Sequence, residues 1–238
     1  MIRIRFIVLI GIASCLQAQV TPTAAEIVRS VHQTYAGMKQ IDFSMTIIRR
    51  TVVDSQITKE TTFGMRIATG IPDKLRLEFD EDAMKAAGAT GGGSEPSLTI
   101  FDGSNTWFYD VGRNQYGVQP GDASVGPRFV DDFMPDYGVM LKDDAQLLRE
   151  ETIEVNGGRI NCFVLEISEE RGPDLFPQSW TWWVDKVRHL VYRADRKTVA
   201  PRGSDEATIL FRNLRLNEPV ADDLFVFTPP PGARKVDQ

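Results

Sequence analysis

The chain has 238 residues, 42% of them hydrophobic and 25% charged, with a formal net charge of −6. Those fractions suit a folded globular chain and argue against disorder. The acidic balance excludes a binder of nucleic-acid phosphates, which needs a basic face. After residue 19 no run approaches the roughly 20 apolar residues of a membrane-spanning helix.

The first residues differ from the rest. "MIRIR" is basic, "FIVLIGIA" is an apolar core, and "SCLQAQ" supplies small residues around a cut. This order reads as a secretory signal. The expectation is a signal peptide over 1–18 and one domain over 19–238, located in the periplasm. Cleavage after Ala18 leaves Gln19 first, and loss of Arg3 and Arg5 moves the charge from −6 to −8. The minority reading is "IASC", Ile12 to Cys15, which resembles a bacterial lipobox with Cys15 as the acylated first residue. With the cut after Ala18, Cys162 is alone and no internal disulfide forms. Its setting, "INCFVLEI", favours a buried, inert thiol.

"TPTAAEIVRSVHQTYAGM" predicts a helix. Thr23 and Glu26 have capping-box spacing, and Ile27, Val31, Thr34, Tyr35 and Met38 share one face. From Ile41 the period becomes two. "IDFSMTIIRRTVV" and "QITKETTFGMRIA" predict a hairpin around Asp54-Ser55, with Phe43 and Met45 among its apolar positions. "KLRLEFD" sets Leu75, Leu77 and Phe79 against Arg76 and Glu78, a pattern of one buried and one wet face. "EDAMKAAGATGGGSEP" is a low-complexity loop. "LTIFDGSNTWFYDVGRNQ" is a hairpin dense in aromatics, Trp107 to Tyr109 among them. "PRFVDDFMPDYGVMLKDD" predicts short helices, with Phe129, Phe133 and Met134 on an apolar underside. Strands resume at "AQLLREETIEV", turn at Asn156-Gly157, and continue through "RINCFVLEIS", "SWTWWVD", "RHLVYRADRKTV" and "ATILFRNLRLN". The total is roughly eleven strands joined mostly by short turns, the pattern of one strongly curved antiparallel sheet or barrel.

Catalytic equipment is sparse. His32 and His189 have no Ser, Cys or Asp partner at motif spacing, and no nucleophile-elbow or zinc-protease motif occurs. The pairs Asp131-Asp132, Asp143-Asp144 and Asp222-Asp223 are adjacent residues, which diverge on a strand or a helix. The expectation is no enzyme activity, no metal and no cofactor. In "SWTWWVD", period two groups Trp180 and Trp182 and turns Trp183 to the opposite face, where a half-wet ring is expected.

The hairpin "LTIFDGSNTWFYDVGRNQ" and the ending "LFVFTPPPGARKVD" resemble periplasmic lipoprotein carriers of the LolA type, which show a "DG.T.W.Y" hairpin and end in "F.F.PP.G..V.D". "VDKVRHLVYR" and "IPDKLRLEF" resemble two further segments of that family. The resemblance implies a mainly β fold with α: a half-open, strongly bent antiparallel barrel closed by the N-terminal helix and a short helical lid. It implies an apolar cavity for acyl chains, lined by Phe43, Met45, Leu75, Leu77, Phe79, Trp107, Tyr109, Phe129, Phe133, Met134, Trp180 and Trp182. It also implies an acylated lipoprotein or other amphiphile as cargo, and inner- and outer-membrane transfer partners, with the protein a monomer. A membrane-anchored acceptor and a lipid-sensing regulator share that fold and remain alternatives. Ile71-Pro72 departs from the family's Arg-Pro, and the Gly-rich loop is longer than the family pattern.

Overall fold

The computed structural model describes residues 21–70, 73–80, 97–121, 145–169 and 176–236. The chain opens with α1 (Ala24–Ala36). The strands follow as β1 (Ile41–Val53), β2 (Gln56–Gly70), β3 (Lys74–Phe79), β4 (Leu98–Phe101), β5 (Asn105–Asp110), β6 (Gln115–Pro120), β7 (Gln146–Val155), β8 (Gly158–Glu169), β9 (Gln178–Asp185), β10 (Val191–Ala200), β11 (Gly203–Leu216) and β12 (Arg234–Lys235). They form one curved, unclosed sheet in the order β12-β6-β5-β4-β3-β2-β1-β11-β10-β9-β8-β7. All pairings are antiparallel except β12 with β6.

Local sequence explains the breaks between elements. Thr23 accepts from the Glu26 backbone N–H while the Glu26 carboxylate accepts from the Thr23 N–H, the capping box read in the sequence. Asp54 and Ser55 both take positive φ (49° and 66°), as do Asn156 and Gly157 (52° and 76°). Two successive left-handed residues make a tight turn whose twist suits a hairpin. Among the described residues the sheet has twelve strands, against roughly eleven expected. In β12, Arg234 and Lys235 lie beside Gln115 and Tyr116, too short a segment to show periodicity.

The sheet has two unlike faces. On the inner face, α1 lays Ile27, Val28 and Val31 against a cluster that includes Phe43, Met45, Ile67, Leu165 and Trp182. Each such side chain contributes about 1.5–3 kcal/mol when buried. The C-terminal end of the helix is tied down by polar contacts. The Val191 N–H donates to the Tyr35 hydroxyl at 3.2 Å, and the Asn217 amide donates to the Gly37 carbonyl at 3.1 Å. On the outer face the segment after β11 crosses the sheet through a 3-10 turn (Asp222–Phe225). It buries Phe225 against Ala68 and Ile100. Gly70 makes room for that ring, since a Cβ there would lie 2.7 Å from it. The outer face of β8 and β9 has its own small core of Cys162, Val164 and Trp183.

Candidate functional site: the inner face of the sheet

Cross-strand register lays the inner face out in rows, because residues directly opposite one another share a face. One row runs Phe79–Met65–Met45–Phe211. The next runs Phe63–Ile47–Ile209–Ala194–Trp182–Leu165–Leu147. A third runs Arg49–Ala207–Arg196–Trp180–Ile167. A fourth, Thr51–Asp205–Thr198–Gln178, is polar. The face is therefore apolar over most of its length and becomes polar at one end, with charges on β1, β10 and β11 (Arg49, Arg196 and Asp205). The helix anchors at Val191 and Gly37 lie at the opposite, apolar end.

Seven of the residues selected from the sequence come together here. Phe43, Met45, Leu75, Trp180 and Trp182 are members of the buried cluster, and Leu77 and Phe79 pack against it half-buried. Trp180 and Trp182 stack at 5.1 Å with their planes 20° apart. On the charged row, Arg196 Nη2 bonds Asp205 at 3.2 Å, and the Arg49 guanidinium lies over the Phe63 ring at 5.4 Å. Phe129, Phe133 and Met134 lie outside the described residues.

Trp107 and Tyr109 are corrections. Leu75 pairs with Phe101, and Phe101 with Thr106, so the inner side of β5 carries Thr106 and Phe108. Trp107 and Tyr109 face outward. There they hold Phe227 of the C-terminal segment, whose ring stacks on Trp107 at 5.3 Å and meets Tyr109 at 6.2 Å and Tyr116 at 5.4 Å. The "DG.T.W" pattern is a local tie. Asp102 accepts from the N–H groups of Ser104 and Asn105 and from the Trp107 indole at 2.9 Å. Burial works against the Asp102 charge, but these donors outweigh it and hold the carboxyl below its ordinary pKa.

Trp183 is on the expected face but is buried, at 4% exposure, with the Arg193 guanidinium 4.3 Å above its ring. The Cys162 thiol beside it is pushed up to about 12 by burial, which makes it a poor nucleophile. Sequence reasoning passed over Ile209 and Phe211 on the inner face. Their alternation in "ATILFRNLRL" was signal enough to find them. It also passed over Arg49 and Arg196, which read as wet-face charges until the register places both in the row of Trp180, with Arg196 directly beside it. Among the described residues, no group of three or more His, Cys, Asp or Glu side chains is placed to hold a metal ion.

The chain is 25% identical over 227 residues to an uncharacterised protein of Methanocaldococcus jannaschii, covering 93% of this chain and 55% of that one. It therefore spans about half the length of the curated relative it matches. Among solved structures it is similar to a LolA superfamily protein from Nitrosomonas europaea, with 15% identity, 87% and 99% of the two chains covered, and a TM-score of 0.29. It is also similar to a putative outer membrane lipoprotein-sorting protein domain from Vibrio parahaemolyticus, with 13% identity, 84% and 95% coverage, and a TM-score of 0.29. The model of a family described as predicted periplasmic protein (DUF2092) matches residues 24–238, and the chain belongs to that family.

Proposed function

We propose that this protein is a periplasmic carrier. It shields the acyl chains of lipoproteins, or of a similar amphiphile, against the inner face of its sheet and delivers them toward the outer membrane. The observation that carries the reading is the continuous apolar face, with Phe43, Met45, Leu75 and Trp182 in one cluster under α1. Moving acyl chains through water requires covering them. At about 0.8 kcal/mol per buried CH2, one long chain gains on the order of 10 kcal/mol from such a surface. Export through a signal over 1–18, with the mature chain starting at Gln19, belongs to the same reading. Loading and unloading then require a donor at the inner membrane and an acceptor at the outer one.

Native mass spectrometry of the protein purified from its own periplasm tests this directly. The expected result is an acylated species that stays bound in the gas phase and is released by detergent. A protein that is uniformly cargo-free, and that also fails to take up a fluorescent acyl probe, overturns the proposal.

A further inference from the structure

The charged row at the end of the inner face contains two donors with no acceptor among the described residues. Trp180 is 5% exposed, and its indole Nε1 is buried with no hydrogen-bond partner. Arg196 Nε is likewise buried and unpartnered. The two residues are direct cross-strand partners on β9 and β10, which puts their Cβ atoms about 4.5–5.5 Å apart on one face. Buried polar groups in folded proteins are nearly always satisfied, so two neighbouring orphan donors call for an acceptor that is supplied from outside.

Chemistry narrows what that acceptor is. An indole N–H and a guanidinium only donate. Asp205 is engaged with Arg196 Nη2 rather than Nε. An oxyanion satisfies both donors at once and gains from charge as well. Arg49, in the same row, is exposed and carries no ion pair among the described residues. The row thus holds a positive excess in a chain whose net charge is −6. Beside it begins the apolar face, at the stacked Trp180–Trp182 pair.

We propose that Trp180 Nε1 and Arg196 Nε form the headgroup subsite of the carrier and bind the carboxylate or phosphate of an anionic amphiphile whose chain lies along the inner face. This rests on the carrier reading above and names the class of its cargo. The experiment compares dansylated undecanoic acid with the matching dansylated alcohol, in wild type and in Trp180→Phe, which keeps the ring stack and removes the N–H. Arg196→Gln serves as a second variant should Trp180→Phe lose its fold. The wild type should bind the acid at least ten-fold more tightly than the alcohol. Either variant should erase most of that preference, read as the ratio of acid to alcohol affinity within the same variant. Lysophosphatidic acid as competitor separates the two headgroups: displacement far better than by the unlabelled fatty acid assigns phosphate, the reverse assigns carboxylate, and both support the subsite. Equal binding of acid and alcohol by the wild type, or a preference that survives both substitutions, overturns the subsite and leaves the carrier reading standing. Binding of neither probe overturns the carrier reading itself.

Discussion

Trp182 and Trp183 are adjacent, lie on opposite faces of β9, and are 0% and 4% exposed. Replacing either by Ala removes a fully packed ring and should cost roughly 3–5 kcal/mol. For Trp183 the loss includes the cation–π contact with Arg193. Only Trp182→Ala should also weaken binding of an acyl probe, because Trp183 faces Cys162 and Val164 on the far side. Chemical denaturation together with probe titration checks both halves. A Trp183→Ala variant that loses probe binding as strongly as Trp182→Ala would contradict the assignment of faces. Leu77→Glu gives a cleaner readout of the same face, since Leu77 is only half-buried at the cluster's margin. It should fold and lose the probe, because the carboxylate would be desolvated against acyl chains. Strand alternation made the sidedness of these residues legible in the sequence. It did not reveal that Trp183 is buried. The side chains that cover it come from β8 and from the edge strand β7 with Ile153, and pairing between strands is not written in any one of them.

At the scale of elements, the same distinction explains what was misread in the aromatic hairpin. Alternation fixes phase within β3 and within β5. The phase between them depends on register carried through the connection between Phe79 and Leu98, which has no periodicity to count. The Trp107 side of β5 is consequently the outer side, and its aromatics serve the C-terminal segment instead of the apolar face. That segment is held by two rings, Phe225 under Gly70 and Phe227 among Trp107, Tyr109 and Tyr116. Phe227→Ala should open this contact without touching the inner face. Trp107 is half-buried whereas the other three tryptophans are buried. Acrylamide quenching should therefore rise through Trp107 alone, with acyl-probe affinity unchanged. Gly70→Ala should destabilise by about 1–3 kcal/mol, since its Cβ would press on the Phe225 ring. At the other end of the sheet, β7 is an edge strand bearing Arg149, Glu150, Glu151 and Glu154. Charges of this density discourage edge-to-edge pairing with another chain.

For the whole molecule, the decisive comparison is between α1 and the cargo that the carrier reading requires. Ile27, Val28 and Val31 together contribute about 4–9 kcal/mol by burial. One long acyl chain gains a similar amount, on the order of 10 kcal/mol. Exchange of helix for cargo on the same apolar face is then close to balanced, which suits the loading and release that the carrier reading requires. The polar anchors at the end of α1 set the barrier. Tyr35 accepts from the Val191 N–H at 3.2 Å, and Tyr35→Phe leaves that N–H without its partner at a cost of about 1–3 kcal/mol. The substitution should lower global stability by that amount and speed acyl-probe uptake in stopped-flow mixing by roughly five- to a hundred-fold. A pH series supplies the control. Burial pushes the Tyr35 phenol up to about 12 from an ordinary value of 10.0. Its contribution to stability is therefore complete below pH 10 and is lost as pH rises toward 12. Wild type should show that alkaline loss, and Tyr35→Phe should show less of it. If stability falls and the alkaline loss flattens while uptake stays at the wild-type rate, Tyr35 anchors the fold but α1 is not what cargo displaces.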